Sequence, residues 1–312
     1  ITEPNNAVTS YQYDKIGRAI EITDPMKGIT KFNYDEVGNL LKETNPMGNS
    51  KSYKYDVLNR IVFEKDRRGF ATTYEYDDVA GIIKITDATG AVTKQQYDAV
   101  HQLIKETNAL GYETTYTYDA LSRLTEVKDA VGSVEKRTYD SVGNLLSTID
   151  KNGHETTYQY DLVNNLLDMT NPAGGKTSFT YDALNRLTKQ TNPDGGTSFY
   201  KYDKVGNVIE MENPEGGKWS YEFDALGQNV KEIDPLMRIT EVVYDAVGNV
   251  VEITDPAGKK QTYTYDLLSR TTSETNQEDE QFNYSYNKVG NVIEIIDALG
   301  YKTKYEYDEE GN

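Results

Sequence analysis

The stretch "YDAVGNVVEITDPAGKKQTYTYD", residues 244 to 266, begins and ends with the same Tyr-Asp pair and contains two clusters of turn-forming residues. The pair recurs along the chain: Asp14 and Asp308 are 294 residues apart, which is 14 intervals of 21, and only Asn287 departs from Asp at this position. A fixed period of this length indicates a repeat architecture. We therefore expect residues 1–312 to be a single uninterrupted array of about 15 repeats, forming a window of a longer protein that is cut at both ends.

The residue before the aspartate is tyrosine in every repeat except at Phe223, and a second, mostly aromatic column lies two residues earlier. The resulting Thr-x-Tyr-x-Tyr alternation predicts a β-strand with an aromatic stripe on one face. We expect the rings of successive repeats to stack as a structural ladder while their hydroxyl groups stay hydrated. The ladder is assigned to Tyr13, Tyr34, Tyr55, Tyr76, Tyr97, Tyr118, Tyr139, Tyr160, Tyr181, Tyr202, Tyr244, Tyr265, Tyr286 and Tyr307.

The other half of each repeat predicts a second strand, as in "NLLKET" at 39–44 and "NVVEIT" at 249–254. Two aliphatic residues in succession, such as Leu40 and Leu41, suggest that both faces are buried near the start of this strand.

Two turns connect the strands. All eight prolines share one column in an Asx-Pro-x-Gly pattern, and the second turn is Tyr-Asp-x-Val-Gly-Asn or Tyr-Asp-x-Leu-Ser/Asn-Arg. Asx side chains accept hydrogen bonds from nearby backbone N–H groups in such turns. The apolar residue of the second turn (Val37, Leu58, Leu121, Val247) is expected to fold back over the sheet edge. The turn-capping aspartates are assigned as Asp14, Asp35, Asp56, Asp119, Asp161, Asp245 and Asp266.

Two short strands and two turns in each repeat make a β-hairpin, and about thirty such strands cannot remain flat because sheets twist and long sheets curl. The predicted fold is all-β: tandem 21-residue β-hairpin repeats form one continuous antiparallel sheet that spirals into a hollow shell or tube. Hydrophobic residues make up only 37% of the chain, so we expect a single-layered wall and not a thick core.

The composition bears on partners and chemistry. A formal net charge of −18 argues against binding to nucleic acid, and no segment predicts insertion into a membrane. Cysteine is absent, and the two histidines, His101 and His154, occupy different columns, so no metal site or cofactor is predicted. The carboxylates recur identically in repeat after repeat, whereas an active site is a single constellation, so we predict no enzyme. Trp219 and Phe282, aromatic residues in a threonine column, are candidate ligand contacts.

The unit Tyr-Asp-x-x-Gly-Asn/Arg-Leu followed by Asx-Pro-x-Gly-x-x-Thr-x-Tyr-x-Tyr-Asp resembles the YD repeat, also called the RHS repeat, from end to end of the chain. This resemblance implies the β-shell of polymorphic toxins, insecticidal toxin complexes, bacterial cell-surface proteins and teneurins, and a secreted or cell-surface location. Toxin-bearing members end their shell with an aspartyl self-cleavage segment and a variable effector, and no stretch of this sequence resembles either.

Three functions are consistent with the sequence. The first is a non-catalytic structural wall of an extracellular or cell-surface bacterial assembly, which encapsulates a C-terminal effector domain or builds a tube. The second is a structural or adhesive filament, because the period contains no insertion anywhere. The third is a carbohydrate-binding cell-surface module. The expected partners are accordingly a C-terminal cargo domain of the same protein or neighbouring copies of the chain, together with glycans as a further candidate.

Overall fold

The computed structural model describes Thr2, Pro4 and residues 6–312. Ile1, Glu3 and Asn5, which the predicted array includes, lie outside the described residues. The described part consists of short strands and turns, and it contains no helix long and apolar enough to cross a membrane.

Twenty-nine strands belong to one sheet. In chain order they are β1 Ser10–Tyr13, β2 Ala19–Thr23, β3 Ile29–Tyr34, β4 Leu40–Thr44, β5 Ser50–Tyr55, β6 Ile61–Lys65, β7 Ala71–Asp77, β8 Ile82–Thr86, β9 Val92–Tyr97, β10 Leu103–Thr107, β11 Glu113–Tyr118, β12 Leu124–Lys128, β13 Val134–Tyr139, β14 Leu145–Ile149, β15 Glu155–Tyr160, β16 Leu166–Thr170, β17 Lys176–Tyr181, β18 Leu187–Thr191, β19 Thr197–Tyr202, β20 Val208–Glu212, β21 Lys218–Phe223, β22 Asn229–Ile233, β23 Ile239–Tyr244, β24 Val250–Thr254, β25 Lys260–Tyr265, β26 Thr271–Thr275, β27 Gln281–Tyr286, β28 Val292–Ile296 and β29 Lys302–Lys304.

The chain forms two compact units. Unit 1 comprises Ile1–Tyr74, Phe223–Glu232 and Arg238–Asn312, and unit 2 comprises Glu75–Glu222 and Ile233–Met237. Within each unit, strands pair antiparallel with their neighbours in sequence, as β11 does with β12 and β12 with β13 in unit 2, and β3 with β4 and β4 with β5 in unit 1. The predicted all-β class and the continuous antiparallel sheet of hairpin repeats are confirmed.

The tyrosine strands show the alternation that the sequence predicts. In β11, Thr114, Tyr116 and Tyr118 are half-buried on one face, whereas Glu113, Thr115 and Thr117 are exposed on the other. The period-two pattern of β-branched and aromatic residues therefore decides which face is partly covered.

In twelve of the Tyr-Asp hairpins the second strand begins with a β-bulge. Tyr118 pairs with Leu124, but Thr117 pairs with Glu126, so Thr125 is an extra residue in the ladder. The same shift occurs between β3 and β4, where Leu41 is the extra residue, and Leu41 is exposed. The prediction that paired aliphatic residues bury both faces is therefore wrong at Leu41, because a bulge and not regular alternation accommodates the second residue.

Little of the molecule is fully buried. Of the described residues, only Ala7, Gly28, Ser147 and Thr177 are buried. The accessible surface is 19544 Å², whereas a compact protein of this mass would expose about 13,000 Å². Half-burial on the face of a sheet thus takes the place of a two-layered core, as the low hydrophobic content predicts.

Candidate functional site

The functional feature of the fold is a set of contacts that recurs in most repeats, and the hairpin of β11 and β12 shows it clearly. In the turn between these strands, Asp119 N–H donates to the carbonyl of Arg123 at 3.0 Å, and Ser122 N–H donates to the carbonyl of Asp119 at 3.0 Å. Ser122 has a φ of 65°. This is a three-residue hairpin loop with a left-handed residue before the second strand.

The aspartate side chain holds this turn together. Asp119 Oδ1 accepts from the N–H groups of Leu121 and Arg123 at 2.9 and 3.1 Å, and Oδ2 accepts from Arg123 Nε at 2.7 Å. The side-chain and backbone hydrogen bonds from Arg123 lower the pKa of Asp119, because they favour the charged form. In each predicted turn-capping aspartate, Oδ1 likewise accepts from the N–H groups two and four residues later: Asp14, Asp35, Asp56, Asp119, Asp161, Asp245 and Asp266.

The proline-column turns have the same backbone geometry. Asp129 N–H donates to the carbonyl of Ser133, and Gly132 N–H donates to the carbonyl of Asp129, both at 3.0 Å. Asp129 Oδ1 accepts from the N–H groups of Val131 and Ser133. Both edges of the sheet are therefore built from one kind of turn. We call the edge with the Tyr-Asp turns (14–18, 35–39 and their equivalents every 21 residues) the YD edge, and the edge with the turns 24–28, 45–49 and their equivalents the Pro edge.

The ladder tyrosines join each hairpin to the preceding one through their hydroxyl groups. Tyr118 Oη–H donates to the carbonyl of Leu103, the first residue of the bulged strand β10, at 2.9 Å. The same bond, always to the residue 15 positions earlier, is made by Tyr55, Tyr118, Tyr139, Tyr181, Tyr202, Tyr244, Tyr265, Tyr286 and Tyr307. The prediction that these hydroxyls stay hydrated is therefore wrong, because the bulge leaves a carbonyl within their reach.

Tyr97 differs from this pattern. Its backbone N–H donates to the carbonyl of Gly81. The backbone hydrogen-bond ladder between β8 and β9 therefore continues to the end of β9, whereas in other repeats the corresponding two strands separate before the tyrosine. The Tyr97 hydroxyl donates to Gln95 Oε1 at 2.9 Å. In this repeat Ala80 and Gly81 replace the usual Gly-Asn pair. In this repeat, the continued ladder and the loss of the hydroxyl bond to the residue 15 positions earlier occur together.

The remaining ladder tyrosines have various surroundings. Tyr34 lies beneath the guanidinium group of Arg18, 4.8 Å from ring centroid to Cζ. Tyr13, in the first strand, is exposed and stacks on Tyr11 within the same strand. Burial raises the pKa of Tyr160. Tyr76 also has an interaction partner in the structure.

A second link runs along the YD edge, and its form depends on the residue four positions after the aspartate. Arg123 Nη1 donates to the carbonyl of Asp140 in the next turn, and its guanidinium group lies 4.8 Å from the Tyr139 ring centroid. Arg18, Arg186 and Arg270 make the corresponding pair of contacts with the next repeat.

Asparagine at that position couples to the next turn in another way. Asn144 Nδ2 donates to Asp140 Oδ2 and to Asn164 Oδ1 at 2.9 and 2.8 Å. Asn164 occupies the left-handed position of the next turn, with a φ of 69°. Asn39 with Asn59 and Asn165 with Asn185 repeat this arrangement. The following turn carries Gly38, Gly143, Gly206 or Gly290 after those four arginines, and Asn59, Asn164 or Asn185 after the three asparagines, so these neighbouring turns form matched sets.

The YD edge also presents one aliphatic side chain in each repeat except the last, which has Glu310, and eleven of these side chains are between 61% and 101% exposed. The prediction that they fold back over the sheet edge is wrong for Val37, Leu58 and Leu121, because the turn aims them outward. We call the eleven the apolar row: Ile16, Val37, Leu58, Val79, Val100, Leu121, Val142, Val163, Leu184, Val205 and Leu226. The later members of the column are less exposed: Val247 is half-buried, Leu268 is 37% exposed and Val289 is 40% exposed.

Within unit 1, the YD edge of the last repeats lies against the Pro edge of early ones. Arg68 Nη1 is 3.6 Å from Asp308 Oδ2, and Arg67 N–H donates to Glu310 Oε1, 243 residues later, which is between eleven and twelve repeats. Met47 and Val289 line the same groove between these edges.

The candidate ligand contacts lie on separate strands. Trp219, in β21, is half-buried opposite Met211, and Phe282, in β27, is half-buried opposite Glu274. Among residues 6–312, Thr2 and Pro4, no group of three or more acidic, histidine or cysteine side chains is arranged to hold a metal ion.

Known proteins share these features. The RHS Repeat family matches residues 34–62, 97–134, 244–278 and 286–312, and the Teneurin YD-shell family matches residues 133–258. No curated protein sequence matches the chain.

Solved structures of toxin complexes have a similar fold. A crystal structure of TcdB2-TccC3-Cdc42 aligns with a TM-score of 0.62 and 16% identity over 98% of this chain and 21% of that chain. TcdB2-TccC3 without its hypervariable C-terminal region aligns with a TM-score of 0.61 and 15% identity over 98% of this chain and 20% of that one. The structure of the Photorhabdus luminescens Tc holotoxin pore aligns with a TM-score of 0.53 and 14% identity over 97% of this chain and 22% of that chain. The chain thus spans about a fifth of these proteins.

The period, the paired turns, the tyrosine bonds between hairpins and the family matches agree, and the chain is a YD-repeat, or RHS-repeat, protein.

Proposed function

We propose that this chain is a non-catalytic structural wall of an extracellular or cell-surface bacterial assembly, and that the wall encloses a C-terminal effector domain of the same protein. The observation that carries the proposal is the bond from nine of the ladder tyrosines to the preceding hairpin, as between Tyr118 and Leu103. A sheet that lacks a covering layer requires such bonds between neighbouring repeats, because nearest-neighbour contacts dominate the stability of repeat arrays.

The carboxylates support a structural role over a catalytic one. In the YD turns, both oxygens of Asp119 are occupied by the turn's own N–H groups and by Arg123. A general acid or base needs a free position aimed at a substrate and a pKa near the working pH, whereas these contacts lower the pKa of Asp119 below its ordinary value.

Enclosure of a C-terminal domain is supported by a relative of the same fold. TcdB2-TccC3 has a hypervariable C-terminal region, which one of its structures lacks. In our proposal, a region in the equivalent place is the cargo of this wall.

A filament or tube is the second candidate function. Two observations favour it: the period of 21 residues has no insertion from Asp14 to Asp308, and aliphatic side chains remain exposed along the YD edge. A strict period gives a constant geometric step from one repeat to the next, which suits an extended assembly.

Electron microscopy of the native particle that contains this chain distinguishes the two functions. A closed, finite shell with density inside is the result expected for enclosure. A uniform tube or fibre, with a helical rise fixed by the repeat, would contradict enclosure and favour the filament. A protease-accessible C-terminal domain outside an empty wall would contradict the enclosure of cargo.

A further inference from the structure

Glu274, in β26, lies among aromatic side chains on one face of the sheet. It pairs with Tyr263 of β25 on one side and with Phe282 of β27 on the other. Residues directly opposite each other in antiparallel strands place their side chains on the same face, with Cβ atoms about 5 Å apart. Tyr284, two residues beyond Phe282, donates from its hydroxyl to Glu274 Oε2 at 3.3 Å. Three rings therefore surround one carboxylate.

The charge of this carboxylate is balanced by neutral groups alone. Gln261 Nε2 donates to Glu274 Oε1 at 2.7 Å, and the Tyr284 hydroxyl donates to Oε2. Among the described residues, no lysine or arginine forms an ion pair with Glu274. Burial, together with the charge of Glu274, raises the pKa of Tyr263 and Tyr284. Each carboxylate oxygen has two acceptor positions, so both oxygens can take a further donor.

An equivalent site in the same chain contains a cation. Glu43 lies 231 residues before Glu274, which is 11 periods of 21, and it pairs with Phe32 on one side. Arg67 Nη2 donates to Glu43 Oε1 at 2.6 Å, and the Arg67 side chain is 19% exposed. The residue that corresponds to Arg67 beside Glu274 is Ala298, whose methyl group carries no charge. A guanidinium group thus completes the earlier site and is missing from the later one.

Phe282 distinguishes the Glu274 site from two others in the same column. Opposite Glu64 and Glu106, the residue in the place of Phe282 is a threonine, Thr72 or Thr114. Phe282 instead places an aromatic face directly beside the carboxylate, and such faces attract cations through the quadrupole of the ring.

We propose that Glu274, Tyr263, Phe282 and Tyr284 form a receptor for the guanidinium group of an arginine side chain from another polypeptide segment. A carboxylate binds guanidinium through two parallel hydrogen bonds. Arginine suits the site better than lysine, because its planar and weakly hydrated group both pairs with a carboxylate and stacks on aromatic rings. The proposal does not depend on the proposed function, because an arginine of a cargo domain and an arginine of a separate protein would bind in the same way.

Fluorine NMR of the chain labelled with 4-fluorophenylalanine tests the proposal. The chain has seven phenylalanines, and the variant Phe282→Leu identifies the signal of Phe282. Titration with acetyl-arginine-amide should shift this signal to a saturating value, and acetyl-lysine-amide should shift it less at the same concentration. The signal of Phe32 is the internal control: it should not move, because Arg67 already occupies Glu43.

Three variants complete the test, with circular dichroism as the check on folding. Glu274→Gln should abolish the shift of the Phe282 signal. Glu278→Gln removes an exposed charge from the turn after β26 and should leave the shift unchanged. Ala298→Arg supplies a guanidinium group from the position that Arg67 has in its own repeat, so it should move the Phe282 signal without ligand and prevent a further shift.

Several results would overturn the proposal. The first is a Phe282 signal in the parent chain that does not respond to acetyl-arginine-amide. An equal shift of the Phe32 signal, or an equal response in Glu274→Gln, would show that binding is not at this carboxylate. An equal response to acetyl-lysine-amide would contradict the assignment to guanidinium.

Discussion

The hydroxyl of Tyr118 donates a hydrogen bond of 2.9 Å to the carbonyl oxygen of Leu103, which opens the bulged strand of the preceding hairpin. The bond satisfies a carbonyl that the interrupted ladder leaves free, and it fixes the tyrosine ring between two repeats. Since a half-buried carbonyl without a partner is unfavourable, the bond should stabilise the array.

Replacing Tyr118 with Phe removes this hydrogen bond and keeps the ring. We expect the free energy of unfolding to fall by about 1 kcal/mol, the usual contribution of a single hydrogen bond. Urea unfolding followed by circular dichroism measures the shift in midpoint. Tyr112→Phe is the matched control, because Tyr112 is exposed and outside both tyrosine columns; an equal loss in the two variants would contradict the assigned role of the Tyr118 hydroxyl.

Replacing Arg123 with Asn removes the bond to the Asp140 carbonyl and the contact with the Tyr139 ring. We expect a loss of about 1–2 kcal/mol from these two interactions. Adding Gly143→Asn supplies the partner that Asn164 offers to Asn144. Nothing lies within 4 Å of a Cβ at this glycine, but its φ of 106° must move toward the 69° of Asn164 to accept a side chain, which offsets part of the gain. The double variant should therefore recover part of the loss in a double-mutant cycle. Additive effects of the two changes would show that the turns are not matched sets.

Acid should destabilise the protein through the turn aspartates. Hydrogen bonds from Arg123 lower the pKa of Asp119, and those from the Arg186 backbone and side chain lower the pKa of Asp182. A lowered folded-state pKa contributes stability above the unfolded value of about 3.9, and this stability is lost as the pH falls through the folded value.

Unfolding midpoints measured from pH 7 downward should therefore stay level until about pH 4 and then decline. Asp119→Asn keeps an acceptor for the turn N–H groups, as Asn287 does naturally, but it does not titrate. Its acid dependence should be shallower than that of the parent chain, and an unchanged slope would exclude Asp119 as a contributor.

Alkali should destabilise the protein through the ladder tyrosines. Burial raises the pKa of Tyr265 and Tyr181, with nearby Asp245 and Asp161 acting in the same direction. A raised folded-state pKa gives stability that is complete below the unfolded value of about 10 and is lost as the pH rises through the folded value. Near-ultraviolet absorbance should show a group of phenols, Tyr181 and Tyr265 among them, ionising later than free tyrosine, together with loss of β-structure. Titration of all tyrosines at the ordinary value would contradict this prediction.

Replacing Met237 with Gly should stabilise the protein. Met237 has a φ of 60° at the position where most turns carry glycine, and a left-handed conformation costs an ordinary L-residue about 1 kcal/mol. Urea unfolding should show a gain of about that size. Leu236→Gly is the control: Leu236 is not among the residues with positive φ, so glycine there should be neutral or mildly destabilising because it loosens the unfolded chain.

The sequence predicts those parts of the fold that depend on local pattern. The alternation in "ETTYTY" at 113–118 determines the strand, its half-buried face and its end at Tyr118, and Asx with a left-handed residue three positions later determines the turns. The local pattern does not predict the bulge, because the two aliphatic residues Leu40 and Leu41 are equally consistent with a regular strand that is buried on both faces. The hydrogen-bond acceptor of the tyrosine hydroxyl cannot be predicted for the same reason, because this acceptor is the carbonyl that the bulge exposes.

The ion pair between Arg68 and Asp308 is even harder to predict from the sequence. It depends on small rotations summed over more than eleven repeats, and no local pattern encodes that sum. The outward orientation of Leu121 could have been anticipated, since a side chain in the middle of a short hairpin loop projects beyond the last pair of the ladder.

The bonds between hairpins span 15, 17 or 20 residues, as between Tyr118 and Leu103, Arg123 and Asp140, and Asn144 and Asn164. Each span is shorter than one period, so every repeat recognises only its immediate neighbours. Unequal recombination that removes or duplicates a whole unit therefore rejoins residues of the same kind at every bond along the array. Array length can therefore change during evolution without altering these bonds. Selection on length acts instead on long-distance contacts such as those of Arg67 with Glu310 and Arg68 with Asp308.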